Sequence, residues 1–146
     1  MNTLLYGWLL RLSYSTERGA AAAYRGHASI TDGVTRAEIL QVRDDELEHR
    51  ETLRAMLDER SIRPFPPFEW FFLWLGSSIA LGCRVWGPRA SALGASLFEI
   101  GGVLEYDRLA SLAARLGASE EAAQLRLMAD QERAHRVYFA ALAREP

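Results

Sequence analysis

The sequence has little cysteine and no concentration of positive charge, and each shortage excludes a class of site. Cys83 is the one cysteine among 146 residues, which rules out an internal disulfide and a cysteine-based zinc site. With a net charge of −2 and no basic stripe, no nucleic-acid surface is predicted. The apolar N-terminus lacks a preceding basic segment and a clear small-residue cleavage site, so it is not interpreted as a signal peptide. These features predict a cytoplasmic protein.

Convincing strand patterns are also missing, and the chain divides into five helical segments. The first two and the last two segments are joined by short turns and form hairpins. A crossover of 28 residues, Ser61 to Pro88, joins the hairpins and contains the third segment. This order predicts an all-α, ferritin-like four-helix bundle with an additional apolar helix in the crossover, as a single domain over 1–146. The segments cover about 3–30, 35–60, 68–86, 89–116 and 119 to near the end, with Thr35 and Glu38 as a capping box.

Two of the three histidines follow a glutamate by three residues. Glu46 precedes His49 on the second segment, and Glu132 precedes His135 on the fifth. Residues three apart share a helix face, so each pair can reach one point in space. Apolar residues at helical spacing flank both pairs, so the pairs interrupt core stripes. The two motifs occupy equivalent positions in the two hairpins.

Each remaining long helix contributes one glutamate in unusual surroundings. Glu17 is the only acidic residue among the first 31, and Glu99 lies in the apolar stretch ASLFEIGGVL. A buried ionised carboxylate is costly unless it is paired or binds a metal. One glutamate from each of two helices and a Glu-x-x-His from each of the others is the ligand set of a dinuclear carboxylate site, with Glu99 as a candidate bridging ligand. Imidazole and carboxylate together suit iron or manganese. Paired core polar residues without metal are the alternative.

The acidic run DDELEHRE around His49 is divided between the core and the solvent. Asp44, Glu48 and Glu51 are predicted to form a solvated face. Metal-bound histidines usually donate their second N–H to a carboxylate or carbonyl, and Asp45 could accept this bond from His135 across the bundle. A solvated Asp45 is the alternative.

With these residues, the chain resembles the demethoxyubiquinone hydroxylase family, the di-iron monooxygenases of ubiquinone biosynthesis, over about 13–139. The similarity rests on the helix-one context TERGAAAAYRGH, both Glu-x-x-His motifs, the segment IRPFPPFEWFFLWLGSSIALG, and Glu99 followed seven residues later by Tyr106. It implies two iron ions, or manganese, dioxygen as co-substrate, and hydroxylation of a quinone-like aromatic ring in an apolar pocket near Tyr106. Where the family has a histidine before this tyrosine, the chain has Glu105. The implied metal ligands are Glu17, Glu46, His49, Glu99, Glu132 and His135.

Rubrerythrin, a peroxide-reducing di-iron protein of the same fold, is a more distant relative. Its additional glutamate after the fourth-helix ligand corresponds to Gly102, which is interpreted as leaving an open position beside Glu99. Its four-cysteine iron site has no counterpart in a chain with one cysteine. Two alternatives to the hydroxylase remain: a ferritin-like protein that handles peroxide or iron without an organic substrate, and a helical binding protein whose metal is structural or absent.

The third segment is apolar or small throughout the fourteen residues from Trp70 to Cys83, which are too few to span a bilayer. Its tryptophans suit a membrane interface, and the resemblance implies peripheral contact with the inner face of the cell membrane. The alternative is burial against the bundle or in a homo-oligomer contact. Cys83 is predicted to be a small buried side chain. His27 is interpreted as a surface or capping residue without a role.

Overall fold

The computed structural model describes residues 2–145, which form four helices joined by short turns. No strand is present in this range, so the all-α prediction is confirmed. The second helix begins at Gly33, two residues before the predicted start, because Asp32 takes the extended N-cap conformation in place of the predicted capping box at Thr35. The helices are α1 (Asn2–Ala28), α2 (Gly33–Glu59), α3 (Pro66–Arg115) and α4 (Ser119–Leu142).

Helix α3 contains both the predicted crossover helix and the predicted fourth helix. The two meet at Gly87, whose φ of 80° and ψ of 171° are not helical. Glycine adopts this left-handed φ without a steric penalty, and Pro88 suits the first turn of the following helix because it needs no N–H partner there. The boundary predicted at Gly87-Pro88 is therefore confirmed, although no loop separates the two halves, 66–86 and 88–115.

The first half of α3 runs parallel to α1. Gly19 lies against Gly76, and Gly26 lies against Ala80, so residue numbers on the two helices increase in the same direction. A Cβ atom on Gly76 would lie 2.0 Å from the Gly19 carbonyl oxygen. The two backbones are therefore in contact, and only glycine fits at this crossing.

The second half of α3 returns along α1 in the opposite direction. Tyr24 is hydrogen-bonded to Glu99, whereas Glu17, earlier on α1, is hydrogen-bonded to Tyr106, later on α3. The chain therefore reverses direction at the kink. It passes along the bundle five times, and the crossover spans its length between the two hairpins.

Two apolar clusters fill the bundle, one toward each end. On α2, Ile39 belongs to one cluster and Leu53 to the other, and both are fully buried. Glu46 and His49 lie between them. Burial of each large apolar side chain contributes about 1.5–3 kcal/mol, which offsets the cost of a polar layer in the middle of the core. The fold thus places the predicted site in the interior, closed by apolar residues above and below.

Candidate metal centre

Six acidic and histidine side chains form this polar layer, the Glu/His cluster, and the structure brings all of the sequence-predicted ligands together. Each residue is at most 6% exposed. In residues 2–145 they form two overlapping groups of four, and in each group one donor atom per residue lies within 4.8 Å of the others. The groups are Glu17, Glu46, His49, Glu132 and Glu46, Glu99, Glu132, His135.

The two groups share Glu46 and Glu132, one from each Glu-x-x-His motif. Glu99 and Glu17 each belong to one of the two groups found among the described residues. Residues three apart on a helix reach the same point, so each motif brings its glutamate beside its histidine. The bridging role of Glu99 stays a prediction.

The acidic run on α2 is divided as predicted. Asp44, Glu48 and Glu51 are exposed, whereas Glu46 and His49 are each 2% exposed. A helix of 3.6 residues per turn gives this division, since only positions three or four apart return to the inward face. The prediction that Glu46 and His49 face inward beside a solvated face is confirmed.

Each histidine is hydrogen-bonded across the bundle to a residue of the other Glu-x-x-His helix. In both cases this partner stands immediately before the glutamate of the motif. The Nε2 atom of His135 lies 3.0 Å from Oδ2 of Asp45, and Nε2 of His49 lies 2.9 Å from Oε1 of Gln131. Both partners are acceptors, so Nε2 donates in each pair. A neutral imidazole then has its lone pair on Nδ1. Of the two alternatives for Asp45, the bond across the bundle is the one found.

The inward donor atoms have no hydrogen-bond partner among residues 2–145. These orphaned atoms are Nδ1 of both histidines and one oxygen each of Glu46, Glu99 and Glu132. The Nδ1 atom of His49 lies 3.1 Å from the orphaned oxygen of Glu132, and Nδ1 of His135 lies 3.5 Å from that of Glu46. An unsatisfied buried polar atom costs about 1–3 kcal/mol. Convergence of five such atoms fits a site that could hold metal ions.

Burial and mutual repulsion give the cluster unusual protonation in the absence of metal. Burial, followed by the charge of Glu46, raises the pKa of Glu17 well above its usual value. Burial and the neighbouring Glu132 raise the pKa of Glu99 to about 12. Burial would lower the pKa of His49, but the adjacent Glu132 and Glu46 raise it to about 10. Protons on Glu17, Glu99 and His49 therefore reduce the negative charge of the cluster, and a metal ion would have to displace them.

Two buried tyrosines are hydrogen-bonded to the cluster in a reciprocal pattern. Tyr106 donates to Glu17, and Tyr24 donates to Glu99. Tyr24 lies seven residues after Glu17, which Tyr106 contacts. Tyr106 lies seven residues after Glu99, which Tyr24 contacts. Sequence reasoning identified Tyr106 and missed Tyr24, although the repeated Glu-x6-Tyr spacing was a signal that could have revealed it.

Gly102 brings the backbone of α3 close to the cluster. A Cβ atom at this position would lie 2.7 Å from Oε2 of Glu132, closer than non-bonded atoms approach. The predicted open position beside Glu99 is therefore wrong, because the Glu132 carboxylate occupies that space. Glycine is needed here for close approach of that carboxylate.

An apolar cavity of about 280 Å³ lies between α1 and the two halves of α3. Tyr24 lines it, so the cavity is one side chain away from Glu99. Tyr106 does not line the cavity and is hydrogen-bonded to Glu17, next to the lining residue Thr16. His27 also lines the cavity and is 2% exposed, which corrects its interpretation as a surface or capping residue. This error arises because the crossover packs on α1, which spacing within a helix does not reveal.

Much of the outward surface of α3 is apolar. Trp70 and Trp74 are about two-thirds exposed, at 68% and 65%, so the predicted alternative of burial against the bundle is wrong for them. Cys83, on the opposite side, is buried as predicted. None of the helices in the described range has a stretch long and apolar enough to cross a bilayer. The exposed α3 face comprises Trp70, Phe71, Trp74, Leu81, Val85, Trp86, Leu93, Leu97, Phe98 and Leu104.

Comparison with known proteins does not assign the chain to a family. No protein-family model matches it, and no curated protein matches it. The functional argument therefore depends on the chemistry of the cluster, the cavity and the exposed α3 face.

Proposed function

We propose that the protein is a ferritin-like di-iron monooxygenase that uses dioxygen to hydroxylate an apolar, quinone-like aromatic ring. One observation carries the proposal: a cluster with the donors for two metal ions lies one side chain away from an apolar cavity. Two bound iron ions would supply the oxygen-activating chemistry. The residues that would hold them are Glu17, Glu46, His49, Glu99, Glu132 and His135.

The charge and chemistry of the donors support two divalent ions. Four carboxylates supply four negative charges, which two divalent cations would balance. Carboxylate and imidazole donors together suit iron or manganese, whereas zinc sites in proteins usually have fewer carboxylates. Each group of four contains three glutamates and one histidine, so both ions would have the same kinds of donor.

Neighbouring side chains keep these donors in position. Tyr24 and Tyr106 donate hydrogen bonds to Glu99 and Glu17, which limits rotation of the two carboxylates. Asp45 orients the ring of His135 and selects the tautomer with a free Nδ1. Apolar residues on both sides exclude water from the layer. An arrangement fixed in advance in this way favours a reactive centre over a passive one.

The exposed α3 face supports delivery of an apolar substrate from a membrane surface. Trp86 and Phe98 belong to this face and also line the cavity, so the cavity opens where the surface is apolar. Tryptophan and phenylalanine on one side of a helix suit the headgroup boundary of a bilayer. Peripheral contact with the inner face of the cell membrane would place the cavity entrance against the lipid.

The proposal is tested on protein reconstituted with ferrous iron under anaerobic conditions. Metal analysis should give two iron ions per chain, and oxygen uptake should accelerate when a quinone precursor is added. Glu99→Ala should lose at least one ion and the substrate-dependent uptake, because it removes a donor from one group. Glu51→Ala, an exposed change on α2, is the matched control and should behave as wild type.

Two results would overturn the proposal. A single bound zinc, or no metal after iron loading, would contradict the dinuclear centre. Two bound irons with oxygen uptake that ignores aromatic compounds, together with rapid peroxide turnover, would replace the hydroxylase with a peroxide- or iron-handling protein of the same fold.

A further inference from the structure

The apolar cavity contains two buried polar atoms that lie outside the Glu/His cluster. They are Nε2 of His27 and Oγ of Ser91, and neither has a hydrogen-bond partner among residues 2–145. The two residues are 2% and 6% exposed. Buried polar side chains are nearly always hydrogen-bonded, so each orphaned atom indicates a missing partner.

The kink in α3 explains why the Ser91 hydroxyl has no partner. A serine on a helix usually donates to the carbonyl four residues earlier, as Ser13, Ser78 and Ser111 do here. For Ser91 that carbonyl belongs to Gly87, whose backbone is not helical. The chain reversal thus leaves a hydroxyl inside the cavity free to bind something else.

The kink also determines which proton His27 carries. The Pro88 backbone that faces the ring has no N–H and presents only its carbonyl, so the ring nitrogen on that side carries the proton. Since Nε2 is the atom without a partner, the donor is Nδ1. Burial lowers the pKa of His27, with the Pro88 bond opposing this, so the ring is neutral at pH 7. Nε2 is then an acceptor.

Both orphaned atoms lie at the same end of the cavity. Pro88 and Ser91 are three residues apart and share a helix face, and His27 contacts Pro88. Ser91 precedes Glu99 by eight residues, which is about 12 Å along a helix. The cavity therefore has a polar end at the kink and a second end near Tyr24 and Glu99, with apolar walls between them.

We infer that His27 and Ser91 bind the hydroxyl group of an apolar aromatic ligand, a phenol rather than a ketone. The His27 Nε2 atom accepts the hydroxyl proton, and Ser91 Oγ donates to the hydroxyl oxygen. A ketone has no proton to donate and would leave Nε2 unsatisfied. A cavity of about 150 Å³ accommodates benzene, so about 280 Å³ accommodates one ring with a short substituent.

This site specifies the substrate of the proposed function. It rests on that function in one respect, namely that the bound ligand is the substrate. The reduced, hydroxyl-bearing form of a quinone-like ring would be the form recognised. Its hydroxyl would lie at the kink, and its opposite end would face Tyr24 and Glu99. The geometry therefore assigns both a redox state and an orientation to the substrate.

The experiment compares 4-butylphenol with its methyl ether, 4-butylanisole, in which a methyl group replaces the hydroxyl proton. Both are titrated into the full chain, metal-free and manganese-loaded, by calorimetry and tryptophan fluorescence, since Trp86 lines the cavity. The phenol should bind at least about tenfold more tightly, because the ether leaves the buried acceptor unpaired. Loading with manganese should leave this ratio within about twofold.

Two variants and a control assign the preference to the named atoms. His27→Phe should reduce the phenol-to-ether ratio to below about threefold, because it removes the acceptor that only the phenol can satisfy. Ser91→Ala should weaken phenol and ether by a similar factor, because the oxygen of either ligand accepts the Ser91 hydrogen bond. Phenylalanine keeps the stacking of position 27 on Phe139, whose ring centroid lies 5.8 Å from that of His27. Ser78→Ala removes an exposed hydroxyl that has an intrahelical partner and should keep the full preference.

Equal affinity for phenol and ether in the wild type, or a preference that survives in His27→Phe, would overturn the inference, as would unchanged affinity for both ligands in Ser91→Ala. If His27→Phe fails to fold, Ser91→Ala decides together with the wild-type ratio, since it removes one oxygen atom. Phenol-selective binding without oxygen uptake would support this site and refute the monooxygenase. Oxygen uptake stimulated equally by rings with and without a hydroxyl would refute this site alone.

Discussion

Removal of metal should make the fold sensitive to alkaline pH. In the folded, metal-free chain the pKa of Glu99 is about 12 and that of His49 about 10, against 4.5 and 6.5 for the ordinary side chains. Both folded pKa values are raised, so the folded state keeps protons that the unfolded state releases. Stability is then lost as pH rises, from 4.5 upward for Glu99 and from 6.5 upward for His49.

The size of the effect follows from proton linkage. Between pH 7 and pH 9 each residue retains one proton that the unfolded chain has lost, and each contributes 1.36 kcal/mol per pH unit. The pair therefore removes about 5 kcal/mol of unfolding free energy over this range. For a domain of this size, that lowers Tm by about 10–20 °C. Glu46 has the opposite shift, a lowered pKa, so its contribution is lost only in acid.

Thermal melts followed by circular dichroism at 222 nm would measure this. The metal-free protein should melt at progressively lower temperature at pH 7, 8 and 9, while the manganese-loaded protein should change little, because the metal has replaced the protons. Glu99→Gln should reduce the pH slope of the metal-free form without abolishing it, because His49 and Glu17 also have raised pKa values, and the exposed control Glu51→Gln should not alter it. A metal-free Tm that stays constant from pH 7 to 9, or that equals the loaded Tm at pH 8, would refute the reasoning.

Two further variants test positions whose importance depends on packing. Gly102→Ala should displace the Glu132 carboxylate and lower the metal content by at least one ion per chain, with helix content unchanged by circular dichroism. Gly101→Ala, whose Cβ would meet no atom of residues 2–145 within 4 Å, should bind metal normally, and equal loss in both variants would contradict the contact argument. Trp74→Glu should abolish co-sedimentation with liposomes and leave iron loading intact. Leu127→Glu, equally exposed but on α4, should sediment as wild type does, and a wild type that ignores liposomes would exclude the membrane role.

The residues of the Glu/His cluster could be predicted because their relations are local. A Glu-x-x-His pair specifies its own geometry once the segment is helical, and burial of Glu46 and His49 followed from the apolar residues around them. The helix boundary at Gly87-Pro88 and the candidate partner for His135 could also be named from single-chain rules. Each of these features can be derived from the spacing of residues on one helix and from the division of that helix into a buried and an exposed face.

The residues that line the cavity could not be predicted, because the lining depends on how separate helices meet. His27 looks like a helix-end residue until the crossover packs beside it. Gly102 looks like open space until the Glu132 side chain from α4 is seen to fill it. The contact of Tyr24 with Glu99 depends on the packing of α1 against α3, although the repeated Glu-x6-Tyr spacing marks the residue in the sequence. Each of these depends on interhelical register, which helical periodicity in one segment does not determine.

The reciprocal hydrogen bonds of the two histidines break an otherwise symmetric arrangement. Both groups of four offer three glutamates and one histidine, so the donors alone do not distinguish two ions. Behind His135, however, is the carboxylate of Asp45, whereas behind His49 is the neutral amide of Gln131. A carboxylate partner makes an imidazole the stronger donor. The two halves of the bundle would therefore fill in order, and the group that contains His135 would take the first ion.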